Sequence, residues 1–167
     1  DPGTYGAFPT DPYSHSPWER GARQPGMTGQ VKEEILTRWG ELGVSVAAGC
    51  IAFAPTMLRA DEFLAEPGRF SYVDLADGSA ALELPAGALA FTYCQVPVVY
   101  RRTRDGAPAG AALTATLRDG MQMDFEAPAL SADLSRSIFE RDGRVVRIDV
   151  DVAESALIAT PADSQER

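Results

Sequence analysis

Histidine, lysine and cysteine are scarce in this chain: His15 and Lys32 are the sole representatives of their types, and Cys50 and Cys94 are the two thiols among 167 residues. A sole histidine in a proline-rich segment, with no Gly-x-Ser-x-Gly elbow anywhere, leaves no Ser-His-Asp triad to assemble. Neither a P-loop nor a Gly-x-Gly-x-x-Gly turn after a strand occurs, so the common phosphate cradles are missing. The two cysteines lie far apart in apolar, strand-like runs. They read as two buried thiols rather than a disulfide scaffold or a zinc site, which favours a reducing, cytoplasmic setting and predicts no metal and no cofactor. No run reaches the roughly 18 apolar residues of a membrane span, and no signal peptide is visible in these residues. Positive charge is also short: 15 Lys and Arg face 24 Asp and Glu, for a formal charge of −9. Nucleic acid is therefore not an expected partner, because phosphate-backbone binders concentrate Lys and Arg.

Apolar residues make up 45% of the chain and charged residues 23%, enough for one domain with a core of its own. Residues 1–27 are dense in Pro (Pro2, Pro9, Pro12, Pro17, Pro25) and Gly, which forbids regular structure, yet Tyr5, Phe8, Tyr13 and Trp18 are spaced through them. They read as an extended leader or interdomain segment that aromatic side chains could pin to a surface. From residue 28 the period becomes helical, with Val31, Ile35, Trp39 and Leu42 on one face, Thr28 as N-cap and Gly43 as the stop. This predicts a linker or interface helix over 28–43.

Beyond Gly43 the period falls to two. Strands are predicted at Cys50–Pro55, Arg69–Ala76 and Ala81–Leu84, then as one long strand over Ala88–Arg102, where Pro97 should mark a bulge, an edge or a switch between sheets. Leu113–Arg118 and Met121–Glu126 flank Asp119-Gly120 as a hairpin. A short helix follows over about Ser131–Glu140, and the last strand, Arg144–Val152, turns Val146, Ile148, Val150 and Val152 inward. The expected class is mainly β: an antiparallel β-sandwich over 44–158, preceded by the leader and one helix and carrying a short late helix, with a disordered tail at 159–167. An α+β fold with one antiparallel sheet is the alternative.

Three Arg-Asp-Gly triplets, at 104–106, 118–120 and 141–143, are turns whose glycine supplies positive φ. Asp149 and Asp151 share a strand face with Arg147, as an acid/base pair would, but the valines opposite make them the solvated side of a half-buried strand. Arg101, Arg102 and Arg104 form a small basic cluster at a strand end. Trp18 and Trp39 could stack on sugar rings, as could Tyr72, Tyr93 and Tyr100.

The segment Gly26-Met27-Thr28-Gly29 leading into a helix, the step Leu42-Gly43-Val44 and the run Gly49-Cys50-Ile51-Ala52-Phe53-Ala54-Pro55 together resemble a known junction. It is the end of the catalytic (α/α)6 barrel and the start of the terminal β domain in cellobiose-phosphorylase-like glycoside phosphorylases and related inverting glycosidases. The resemblance covers about residues 14–60. It implies that Thr28, Gly29 and His15 lie near the phosphate in an intact parent, a role suited to a helix N-terminus. Met27 stands where that group has an aromatic, Gln30-Val31-Lys32 departs from its small-residue run, and the barrel that holds its general acid is not in these residues.

The expected function is thus a non-catalytic C-terminal β domain that braces or caps the catalytic barrel of a glycosidase- or phosphorylase-like parent, its main partner being that upstream domain. The alternative is a carbohydrate-binding or protein-interaction module without catalytic activity. No membrane partner is expected, and self-association is left open.

Overall fold

In a computed structural model, residues 28–75, 78–105 and 112–159 are described, with only the backbone for 28–33. The leader, including His15 and Trp18, and the tail from 160 onward lie outside them. The chain divides into two compact units, Asp1–Arg38 and Trp39–Arg167, with the boundary inside the first helix, α1 (Thr28–Glu41). In the first unit, Ile35 and Leu36 of α1 are exposed.

The second unit is mainly β. Among the described residues, nine strands follow in the order β1 (Val44–Ala47), β2 (Cys50–Phe53), β3 (Gly68–Asp74), β4 (Gly78–Leu84), β5 (Ala88–Tyr93), β6 (Val96–Thr103), β7 (Leu113–Leu117), β8 (Gln122–Phe125) and β9 (Val145–Ala153), with helix α2 (Ala132–Glu140) before the last. β1–β2 and β3–β4 are separate hairpins, and the remaining five strands form one sheet in the order β5-β6-β9-β7-β8. Among these strands every pairing is antiparallel except β6 with β9, which run parallel. A parallel neighbour needs a long crossover, and β7, β8 and α2 supply it.

The chain reverses at Gly43, between the end of α1 and the start of β1. Gly43 takes φ +68 and a Cβ there would stand 2.2 Å from the Ala54 carbonyl carbon, so neither the conformation nor the space admits a side chain. Its amide donates to the Gly40 carbonyl at 3.0 Å, and its carbonyl accepts from Ala54 N–H at 2.9 Å. Leu42, just before it, is buried, and its carbonyl accepts from the Tyr100 hydroxyl.

One face of the five-stranded sheet holds the core. Val98 and Tyr100 of β6, Ile148 and Val150 of β9, and Leu113 and Ala115 of β7 are fully enclosed against Ile51 and Phe53 of β2 and Leu134 and Ile138 of α2. Ser131 caps α2, accepting from Leu134 N–H at 3.3 Å, and the buried Ser135 hydroxyl accepts from Ile51 N–H at 2.9 Å, tying the helix to β2. On the opposite face, Phe70 and Leu82 of the β3–β4 hairpin pack with Leu84, Ala88, Val99 and Ala90, covering the β5–β6 half.

Several expectations are corrected. The predicted long strand Ala88–Arg102 is a hairpin: Cys94 (φ 49) and Gln95 (φ 68) both take left-handed backbone and reverse the chain. Neither residue type announces such a turn, which ordinarily uses Asn-Gly. Pro97 is accordingly no bulge, edge or switch; it sits in regular register opposite Thr92, one residue before β6 begins to pair with β9 at Val98. With Tyr93 and Val96 closing the two-residue turn, Pro97 falls at a position that needs no N–H toward β5. β1, unforeseen in the sequence, pairs with β2 through Ala48 and Gly49, both at positive φ. A register shift at Thr116/Leu117 sets Leu117 opposite Val145, so Val145 is buried and Val146 only half-buried. The cysteines are free but half-buried rather than enclosed.

Candidate functional site

Two groups of side chains in the second unit carry chemistry. The first is on the sheet face away from the core. Cross-strand register places Val99 of β6, Asp149 of β9, Thr114 of β7 and Asp124 of β8 in one row. Arg147, Thr116 and Gln122 make the neighbouring row, and Arg101 lies opposite Asp151. Asp149 is therefore not the solvated carboxylate its alternation implies: it is 5% exposed. The Arg147 guanidinium covers it with two hydrogen bonds, Nε to Oδ2 at 2.8 Å and Nη2 to Oδ1 at 2.6 Å. Arg101 approaches the same Oδ1 at 3.4 Å and Asp151 at 3.7 Å. A bidentate arginine fixes a carboxylate in orientation as well as charge, and a buried carboxylate without such partners would not persist.

The basic cluster expected at the end of the long strand is thereby divided. Arg101 turns to the two aspartates, while Arg102 donates to Glu154 at 2.9 Å. Thr114 donates to Asp124 at 2.7 Å on the same sheet face. Tyr72 of β3 stacks on Phe70 with centroids 5.8 Å apart and stands within electrostatic range of Arg147 and Asp74. Partial burial raises its phenol above the ordinary value.

The second group is aromatic. Trp39 leans on Tyr93 with ring centroids 5.0 Å apart, and Tyr93 meets Phe139 of α2 at 6.4 Å. Tyr93 is buried, but Trp39 and Phe139 remain 38% and 43% exposed. The left-handed turn residues Cys94 and Gln95 adjoin Tyr93. Arg141, also left-handed at φ 54, ends α2 and lies within electrostatic range of the Cys94 thiol. Burial pushes that thiol up and Arg141 pulls it the other way, with burial the larger effect. It is protonated at neutral pH and a poor nucleophile.

The structure does not bring the two groups into a catalytic arrangement. Of the other aromatic residues weighed for sugar stacking, Tyr100 is enclosed in the core and presents no ring face, and Tyr72 is half-buried. Thr28 and Gly29 open α1, and nothing is described of the Thr28 side chain. The Arg-Asp-Gly triplet at 118–120 is a tight turn in which Asp119 accepts from Met121 N–H at 2.9 Å. At 141–143 the Asp142 carboxylate accepts from the Ser137 hydroxyl at 2.6 Å and from Arg144 N–H at 2.8 Å, which holds it below the usual carboxylate range. Among the described residues no three His, Cys, Asp or Glu converge as metal ligands, and no helix is long and apolar enough to cross a membrane. Sequence reading missed the Cys94-Gln95 turn and the enclosure of Asp149. An arginine two residues from an aspartate on one strand was the available signal for the latter.

The chain matches no protein-family model and no curated protein.

Proposed function

We propose that this chain is a non-catalytic β domain of a larger carbohydrate-active enzyme, glycosidase- or phosphorylase-like, and that it braces or caps the catalytic barrel. The observation that carries the reading is the exposed aromatic cluster of Trp39 and Phe139, seated on buried Tyr93. Aromatic and arginine side chains supply most of the energy of protein interfaces, and Trp39 and Phe139 are two large rings left partly open to solvent on either side of Tyr93. The resemblance over residues 14–60 supplies the kind of partner. The buried carboxylate fits it as well: both oxygens of Asp149 are engaged by Arg147, and Arg101 approaches one of them.

The test is to express the polypeptide encoded upstream of Asp1 together with this chain. A helical-repeat catalytic domain whose thermal midpoint and activity both fall when Trp39 and Phe139 are replaced by Ser supports the reading. Turnover of glycosides by the purified chain alone, with or without phosphate, overturns it.

A further inference from the structure

The five-stranded sheet ends in two edge strands, β5 and β8. An edge presents backbone N–H and C=O groups without ladder partners, and folded proteins ordinarily occupy or blunt them. β5 is occupied: its outward carbonyl at Ala88 accepts from Leu64 N–H at 2.9 Å. On β8 the register decides which groups point outward. Leu117 N–H donates to the Met121 carbonyl at 2.8 Å, and the ladder continues with Ala115 opposite Met123 and Leu113 opposite Phe125. Hydrogen-bonded and non-hydrogen-bonded pairs alternate along an antiparallel ladder, so Met121, Met123 and Phe125 turn their backbone groups to β7 while Gln122 and Asp124 turn theirs away. Among the described residues no hydrogen bond reaches those outward groups. Gln122 and Asp124 are exposed, and Met121 beside them is a large apolar side chain left 56% exposed.

We infer that β8 is a dimerisation edge, to which a second copy of this chain adds its own β8 in antiparallel pairing, joining the two five-stranded sheets into one. The strand is complementary to itself. A two-fold axis through Met123 sets Gln122 opposite Asp124 of the second copy, and Asp124 opposite its Gln122. These are the residues with outward N–H and C=O groups, so each pair closes two backbone hydrogen bonds, four in all. On the face away from the core, the Gln122 side-chain amide donates to the Asp124 carboxylate of the second copy. Thr114 takes one oxygen of that carboxylate, at 2.7 Å, and leaves the other to accept. On the core side, exposed Met121 comes opposite Phe125 of the second copy, a residue that already packs against the core beside Met123. Moving the axis to Asp124 would set two carboxylates face to face, and like charges directly opposite each other are destabilising. Charge thus selects the register centred on Met123. An isologous pairing of this kind closes at two copies, and the occupied β5 edge offers no second site of the same sort.

One short strand and a formal charge of −9 on each copy make for weak association. The experiment is therefore sedimentation equilibrium of the full chain from about 10 μM to about 1 mM. A monomer–dimer equilibrium is expected. Gln122→Glu places a second carboxylate opposite Asp124 and is expected to weaken the dimer by roughly tenfold, whereas Gln122→Lys places an ammonium there and is expected to tighten it. Gln122→Pro removes an outward N–H without touching a bond to β7, a change that edge strands accept. It is expected to abolish the dimer while the urea midpoint of the monomer stays near that of the wild type. Should Gln122→Pro fail to fold, the two charge variants decide. A chain that stays monomeric throughout the range overturns the proposal, as does a dimer indifferent to a folded Gln122→Pro, or one that Gln122→Glu and Gln122→Lys shift in the same direction.

Discussion

Tyr100 concentrates several demands in one side chain. It is enclosed in the core, its ring meets Phe91 edge-on at 5.2 Å, and its hydroxyl donates to the Leu42 carbonyl at the exit of α1. Replacing it with Phe keeps the packing but strands that carbonyl, so Tyr100→Phe is expected to cost about 1–3 kcal/mol in urea unfolding. The phenol also carries a pH signature. Burial raises it above the ordinary value of 10.0. A group whose folded value is raised contributes stability that is complete below the unfolded value and declines as pH climbs from there toward the folded one. The wild-type chain should therefore lose stability above about pH 10 by more than the Tyr100→Phe variant does, a difference read from denaturation midpoints across the alkaline range.

The β5–β6 hairpin poses a different problem, since its turn places two side-chain-bearing residues in left-handed backbone. Such a conformation costs an L-residue roughly 1–2 kcal/mol, and Asn-Gly meets the same geometry at much less. The double replacement Cys94→Asn with Gln95→Gly should raise stability by at least about 1 kcal/mol, seen as a higher urea midpoint at unchanged slope. Directly after Tyr93, on which Trp39 and Phe139 lean, comes the wild-type pair. Their presence is also why this hairpin was illegible: Tyr93 and Val96 belong to an unbroken alternation, and nothing at 94–95 interrupts it. Hairpins with their turn chemistry in view, such as Leu113 to Phe125 around Asp119-Gly120, were legible almost to the residue, as was the extent of α2.

At the scale of the whole molecule, periodicity identified a mainly β chain because inward valines and outward charges recur with period two. It was silent on which strands become neighbours. Alternation says which face a side chain takes; it does not distinguish a charge facing water from one facing a second charge, and so Asp149 was misplaced while its face was right. The parallel β6–β9 seam is where that matters for stability. Asp149→Ala should remove about 1–3 kcal/mol, less than a fully buried pair would cost, because the guanidinium groups of Arg101 and Arg147 keep partial access to water. Urea unfolding of that variant, set against Asp151→Ala at the exposed neighbouring position, measures the difference.

β9 takes the middle of the five-stranded sheet and is also its last strand to be synthesised. Until residues 145–153 have cleared the ribosome, β5–β6 and β7–β8 are two unconnected hairpins with their apolar faces unshared. β9 must therefore be made before this domain can close, and a message truncated ahead of Val145 yields no smaller version of it, only a chain with two exposed sheet edges in search of a strand.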